Sequence, residues 1–358
     1  MSQLKAARPT PFLMALLALV AAACSDFGGP PPGEPEQPGV LVLPSVRNAL
    51  YSEPVWTRDG TELVYFAFLP TNSTSTVINA VNVSTHSVRQ LYAAPLILNL
   101  HRSNGDEWIY FEVADVTTYG PTNSGLKRLN PSSGAVETVP AAFPGYPNDL
   151  VVFADERFLV SNGGFFNLQT GTRIDHPAGI PASFSPDGTR ALYGVNSGIS
   201  SAPSPSLISL IDGSSQPLHS TDYFALAHRW IGNSPQFLST TNDYLAGIVR
   251  LYEVDGVTGT RRDIAQFTST SGYIYASWSP DGQTLGAWID EGDIGKGTDR
   301  TALYIIRPGS TPTIALTVRP PWDAGPPSRA VFSPDSRSLA YFYPHTDDSH
   351  SLYLKSGI

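Results

Sequence analysis

A single cysteine, Cys24, stands in a chain of 358 residues, so no internal disulfide can staple the fold. The strong catalytic signatures are missing as well. There is no G-x-S-x-G, which removes the α/β serine hydrolases, and no H-E-x-x-H or paired C-x-x-C. The nearest approach to a P-loop, Gly295-Lys296, continues with Gly297 where Ser or Thr is needed to meet a phosphate-bound magnesium. Beyond the N-terminal segment no apolar run comes near the roughly 20 residues that a membrane-spanning helix requires. Bases are scarce too, at 22 Lys and Arg against 31 Asp and Glu. Loss of Lys5 and Arg8 with an N-terminal signal would leave 20 bases against 31 acids, a net charge of −11, which excludes non-specific attraction to nucleic acid or anionic lipid.

What the N-terminus does contain is an export pattern. Lys5 and Arg8 precede an unbroken apolar stretch over residues 12–23, followed at once by Cys24 and a polar, proline-rich segment. Twelve helical residues rise about 18 Å, short of the roughly 30 Å hydrocarbon core, so the segment reads as a cleaved signal and not a span. The small residues Ala21 to Ala23 leading to Cys24 resemble the lipobox of bacterial lipoproteins, although the usual leucine three places before the cysteine is Ala21 here. The resemblance implies that Cys24 becomes an acylated N-terminus holding the protein to a membrane, on the periplasmic side or at the cell surface. The other reading is ordinary cleavage near Ala23, leaving a thiol on an exposed tail. Residues 25–39, SDFGGPPPGEPEQPG, are too poor in apolar side chains to pack and favour extended polyproline geometry, a semi-rigid tether. The expected organisation is signal over 1–23, tether over 24–39 and one folded domain over 40–358.

A phrase repeats within that domain. VWTRDG, SFSPDG, SWSPDG and VFSPDS place an apolar anchor at Trp56, Phe184, Trp278 and Phe332, and HRWIGNSPQFLS adds a degraded copy at Trp230. The gaps are 128, 46, 48 and 54 residues, so a unit of about 45 leaves room for two further copies in the first gap, found at 98–113 and 148–163. Within each copy the pattern has period two, as in Leu285, Ala287 and Ile289, which marks strands. Pro-Asp-Gly reverses the chain between them, because Pro presets φ, Asp bonds to nearby amides and Gly accepts positive φ. A third strand such as 301–307 and a fourth such as 312–316 complete a four-stranded antiparallel blade. The last copy stops at Ile358 without a fourth strand, while residues 39–45, GVLVLPS, supply a spare one ahead of the first anchor. The expected fold is therefore an all-β propeller of seven blades, with six the alternative, closed by pairing of its N- and C-terminal strands.

The phrase resembles the WD40-like repeat of TolB-type propellers, whose core reads aromatic, Ser, Pro, Asp, Gly and then an apolar strand. The likeness is carried by the copies at Phe184, Trp278 and Phe332 and extends in weaker form over most of 40–358. It implies the propeller fold. TolB carries a separate domain before its ring where only a tether is read here, which argues against a role in the Tol system.

Two loops offer candidate chemistry. Residues 290–300, DEGDIGKGTDR, bring Asp290, Glu291, Asp293 and Asp299 close together, oxygen ligands of the kind calcium takes, but without the strict D-x-D-x-D-G spacing. HTDDSH at 345–350 has types that bind zinc, yet reads better as an exposed hairpin tip. Strand order gathers the long connections, 115–125, 196–206, 290–300, 319–328 and 345–350, on the face opposite the Pro-Asp-Gly turns. That face and the central channel are the expected binding surface, with Tyr119, Arg319, Trp322, Asp290, Asp293, Arg300, His345, Asp347 and His350 as candidate contacts. The expectation is a monomeric, non-catalytic module with no cofactor expected and calcium as a possible ion. It meets a protein or peptide partner in the cell envelope. The alternatives are a metal-assisted lyase or hydrolase acting on a saccharide or small ester, and a small-ligand-binding lipoprotein.

Overall fold

The computed structural model describes residues 39–47, 53–69, 72–102, 108–117, 120–139, 151–152, 158–161, 164–167, 170, 172–175, 181–193, 206–219, 227–243, 248–268, 274–291, 300–319 and 327–358. Every regular element among them is a strand, and the strands form seven four-stranded antiparallel sheets. In chain order, β1 (Val40–Arg47) precedes blade 1, which is β2 (Val55–Trp56), β3 (Glu62–Leu69), β4 (Asn72–Asn82) and β5 (Val88–Ala94). Blade 2 is β6 (Leu96–Arg102), β7 (Ile109–Thr117), β8 (Gly120–Leu129) and β9 (Val136–Thr138), and blade 3 is β10 (Val151–Val152), β11 (Phe158–Ser161), β12 (Gly164–Asn167) and β13 (Arg173–Asp175). Blade 4 is β14 (Pro181–Phe184), β15 (Arg190–Tyr193), β16 (Ser206–Ser209) and β17 (Ser215–Pro217), and blade 5 is β18 (Ala227–Ile231), β19 (Ser234–Asp243), β20 (Ile248–Asp255) and β21 (Arg261–Thr268). Blade 6 is β22 (Ile274–Trp278), β23 (Leu285–Asp290), β24 (Thr301–Ile306) and β25 (Thr313–Val318); blade 7 holds β26 (Val331–Phe332), β27 (Ser338–Pro344) and β28 (Ser349–Ser356). The first strand of each blade is innermost, and β18, β22, β26, β2, β6 and β10 touch in that order around the axis.

The sheets of blades 1, 6 and 7 pack on both faces against their neighbours, which is why second strands such as β3, β23 and β27 read as nearly continuous apolar runs. In β23, Leu285, Ala287 and Ile289 pack against blade 5, while Trp288 packs against Leu339, Tyr341 and Tyr343 of blade 7. The alternation of side chains along a strand sends successive residues to opposite neighbours. Trp56 is buried between blades 1 and 7, and its indole N–H donates to the Val331 carbonyl at 3.1 Å. Trp56 is thus an inter-blade bolt with its one polar atom satisfied.

The recurrent Ser-Pro-Asp-Gly phrase is a hydrogen-bonded clip, and the serine matters as much as the turn residues. In blade 6 the Ser279 hydroxyl accepts from the Thr284 amide at 2.9 Å and donates to Asp281 Oδ1 at 2.5 Å. Asp281 also accepts from the Gln283 amide at 2.9 Å. The same three bonds recur around Ser185 with Asp187, Ser333 with Asp335 and Thr57 with Asp59. All four hydroxyl residues are buried. The hydrogen bond from the hydroxyl of each clip is the main influence holding its aspartate below the usual carboxylate range, Asp187 at about 2. The clips also touch neighbouring blades. Asp187 is bonded by Asn233, Asp281 by Ser336, and the Arg229 guanidinium donates to the Gly282 carbonyl while lying 4.0 Å over the Trp278 ring. Arg229 is held in turn by a bidentate pair with buried Glu253, at 2.9 and 3.1 Å.

Blade 7 is completed across the termini, as the sequence implies. Its strand order is β26, β27, β28, β1, with Val40 opposite Leu354 and Arg47 opposite Ser349. Val42 and Leu43 are buried between blades 7 and 1. Gly39 enters the strand at φ +84°, and a Cβ there would sit 2.3 Å from the Leu354 carbonyl oxygen, so only glycine fits. One expected loop takes a different form. Residues 115–125 are mostly strand, because β7 and β8 continue as a backbone ladder with Asp115 opposite Thr122 and Thr117 opposite Gly120. Their polar side chains carry no apolar alternation to announce it.

Two measurements follow from this architecture. Deleting residues 25–46 removes β1 and should unfold or oligomerise the protein, whereas deleting 25–38 should leave the thermal midpoint unchanged; equal midpoints would contradict closure by β1. Ser279→Ala strands the Thr284 amide and removes the Asp281 partner, so it should cost about 1–3 kcal/mol in urea unfolding, against near zero for exposed Ser310→Ala.

Candidate functional site

The long connections and the starts of the inner strands share one end of the ring. Of the acidic loop, the described residues are used to hold the loop itself. Asp290 ends β23 opposite Thr301, and the Glu291 amide donates to the Arg300 carbonyl at 2.7 Å, closing the neck. Glu291 then receives Arg300 Nε at 3.3 Å on one oxygen and the Tyr304 hydroxyl on the other. Burial, then the bond and charge of Glu291, push the Tyr304 hydroxyl up to about 12, with Arg300 acting the other way. Glu291 is therefore committed to a cation and a phenol. Asp293 lies outside the described residues.

The hairpin at 345–350 separates its two histidines. His345 follows Tyr343 onto the blade 6 side, where its Nε2 lies 2.7 Å from Ser351 Oγ and its ring 5.5 Å from Tyr343. His350 pairs with Pro344 and turns to the blade 1 side, its ring edge-on to Phe342 at 6.3 Å. Opposite strand parity prevents one ion from being held by both rings. Burial first, then His345, lower the His350 pKa, against the pull of Asp348 and Asp347. Asp347 is spent on the turn, accepting from the Ser349 hydroxyl at 2.6 Å and amide at 3.1 Å. Ser351 Oγ also lies 3.4 Å from the Ser45 amide in a bulge of β1, so this hairpin supports the closure strand. Arg319 joins the same region through its carbonyl, which accepts from the Tyr343 hydroxyl at 2.7 Å. Tyr119, Trp322 and Cys24 lie outside the described residues. Among the described residues no group of three or more His, Cys, Asp or Glu is placed to hold a metal ion.

The sequence reading missed a charged set at the axis. Arg329 stands just before β26 and Glu53 just before β2, with Arg329 Nε 3.5 Å from Glu53 Oε1. His228, near the start of β18 two blades away, is part-exposed, and Arg329 acts on it electrostatically. Burial, and secondly the Arg329 charge, hold the His228 imidazole at about 4. Arg329 and Glu53 meet because the adjacent inner strands β26 and β2 start side by side. The three residues share one sequence signal, position, two or three residues before the aromatic anchors Trp56, Trp230 and Phe332.

No protein-family model matches the chain, and no curated protein matches it either. Solved structures do. An oligogalacturonate lyase in complex with manganese superposes with TM-score 0.58 at 15% identity, covering 89% of this chain and 92% of that one. An oligogalacturonate lyase from Vibrio parahaemolyticus gives 0.59 at 11% identity, over 87% and 92%. TolB from Acinetobacter baumannii gives 0.44 at 16% identity, over 72% of this chain and 66% of that one. The likeness is one of fold. Propeller architecture is shared, and at these identities it carries no site with it.

The axial histidine makes a pH dependence. Unfolded histidine takes up its proton near pH 6.5 and folded His228 near 4, so between those values the unfolded chain binds more protons and stability falls as pH drops. This contribution to stability is fully present above pH 6.5, is lost by at most about 3 kcal/mol as pH falls, and levels off below 4. His228→Gln should flatten that part of a urea-midpoint profile without abolishing it, since His350 contributes in the same direction. An unchanged slope in the variant would refute the assignment.

Proposed function

We propose that this chain is a non-catalytic binding module, exported and held to a cell-envelope membrane through acylated Cys24, that meets a protein or peptide partner with its long-loop face and channel mouth. The observation that carries the reading is the use to which the polar groups of that face are put. Glu291, Arg300, Asp347 and His345 each hold a loop or hairpin in a fixed shape, which makes a rigid platform of the kind that binds with little ordering cost. The hairpins β3–β4, β7–β8 and β19–β20, with strands of 8 to 11 residues, turn at this end of the ring. A tether rich in proline would place such a platform within reach of envelope partners.

A second reading, a metal-assisted lyase or hydrolase acting on a saccharide or small ester, draws on the axial His228, Arg329 and Glu53 and on the fold shared with oligogalacturonate lyases. A small-ligand-binding lipoprotein is the third. Cross-linking of the full-length protein in native membranes, mapped by mass spectrometry, tests the first. A recurrent protein cross-linked to residues 290–300 and 319–328, and lost when Tyr119, Arg319 and Trp322 are changed to Ala, is expected. A face without cross-links, together with stoichiometric metal in the purified protein by elemental analysis, would overturn it in favour of the enzyme.

A further inference from the structure

At the short-turn end of the ring, residue type departs from what the turns require. In blades 1, 2, 4 and 5 the third and fourth strands are joined by one kind of turn, closed by an amide that donates to a carbonyl four residues earlier. His86 donates to Asn82, Gly134 to Asn130, Gly213 to Ser209 and Gly259 to Asp255, at 2.8 to 2.9 Å. The middle residue of the turn is Ser84 in blade 1 and Ser132 in blade 2, polar as a tip in water should be. In blades 4 and 5 it is Ile211, 80% exposed, and Val257, 38% exposed. The turn does not need those side chains. Ile231, at the hairpin between β18 and β19, adds a third at 56%.

These tips are neighbours. The His219 amide, just after β17, donates to the Gly256 carbonyl beside Val257 at 2.9 Å, and the Gly256 amide donates to the Pro235 carbonyl in the Ile231 hairpin at 2.8 Å. The next blades continue the arc at the same end, through Ile314 near the start of β25 and Val40 at the start of β1. With Leu41 and Val88 they complete the large apolar side chains that the described residues expose. Scattered singly such residues are ordinary, whereas gathered on one end they mark a surface. Arg190, Arg261, Arg307 and Arg337 are exposed among them, while Asp187, Asp281 and Asp335 are bonded into their own turns.

The point at which the tether joins the ring decides what covers this end. Ser356 of β28 lies opposite Ser338, beside the β26–β27 turn, and β1 pairs antiparallel with β28, so the chain before Gly39 joins at the short-turn end. As a polyproline spacer, residues 25–38 reach about 43 Å. A membrane held at Cys24 therefore meets this end first, and the long-loop face points away from it.

We infer that the short-turn end of blades 4 to 7 is a membrane-docking surface, with Ile211, Ile231 and Val257 set into the boundary between headgroups and acyl chains and the arginines against lipid phosphates. The surface rests on the anchored reading of Cys24 and adds an orientation to it, with the long-loop face turned towards a partner. The net negative charge gives no attraction at a distance, so the tether supplies the encounter by holding the surface at high local concentration. Apolar side chains of this kind enter the interface by about 5–10 Å.

The test uses the acylated full-length protein, purified and reconstituted in vesicles of phosphatidylethanolamine and phosphatidylglycerol. With Cys24 acylated, Ile211→Cys, Ile231→Cys or, on the long-loop end, exposed Thr346→Cys supplies the one free thiol for a polarity-sensitive fluorophore. Docking predicts about a threefold rise in emission at the first two sites, quenched by lipid carrying a nitroxide near its headgroup, and no change at Thr346→Cys. Adding Ile231→Ser and Val257→Ser to Ile211→Cys should bring the signal down to the Thr346→Cys level while the protein still sediments with the vesicles, thermal unfolding showing that the variant is folded. Water-like emission at both tips of vesicle-bound protein would overturn the docking surface and leave the anchored module standing. A rise that nitroxide lipid does not quench, and that is lost when the protein is diluted within the vesicles, would assign this end to a second copy and overturn it as well. Absence of fatty acid on Cys24 in protein taken from native membranes would remove the anchored reading, and the surface with it.

Discussion

Everything else in the molecule depends on the ladder between β1 and β28. Without it blade 7 would be three strands wide, and the buried strip of Val42 and Leu43 that seals blade 7 to blade 1 would be missing. A ring of sheets has no hydrophobic interior of its own; each sheet is buried only because its two neighbours are in place. One open seam therefore exposes two blade faces at once. The closure strand also guards its own outer edge. Val40 and Leu41 are 53% and 41% exposed there, but Pro44 and two register shifts in the pairing break the run that another chain could extend.

The clips and the inter-blade bolts divide the work by face. On the short-turn end, the hydroxyl residue and aspartate of each phrase close their own hairpin, and the clips of blades 4 and 6 also hold a neighbouring blade. On the opposite end the backbone before β26 is fixed by the Trp288 indole, which donates to the Ser328 carbonyl. Rigidity made on one face is thus delivered to the other, where the channel mouth lies. A site built on such starts of inner strands differs from one built on loops, since its geometry is set by the ring.

Much of this was legible in the residues. The aromatic anchors marked blades 1, 4, 5, 6 and 7, a unit of about 45 residues placed blades 2 and 3 in the gap between them, and the spare strand at 39–45 marked the closure. The clip itself was half legible: the turn was read from Pro, Asp and Gly, while the serine's relay to an amide five residues on needed the fold. The candidate site was less legible. Glu291 looks like a cation ligand until Arg300 and Tyr304 are seen to occupy it, and His345 and His350 look paired until strand parity sends them to opposite faces. Arg329 and Glu53 belong to no motif, because what unites them is that two inner strands from distant parts of the chain start side by side. Periodicity reports which side of a sheet a residue takes, and it is silent on what meets across an axis.

The measurement that tests the account most directly is native-state hydrogen exchange resolved to the amides of β1, β27 and β28. If closure holds the ring as one unit, the amides of Val42 and Leu43 open with the same free energy and the same denaturant dependence as those of β27. If β1 exchanges by a separate, low-energy opening while β27 stays protected, the ring does not depend on its closure, and the rigidity attributed to the channel mouth has another source.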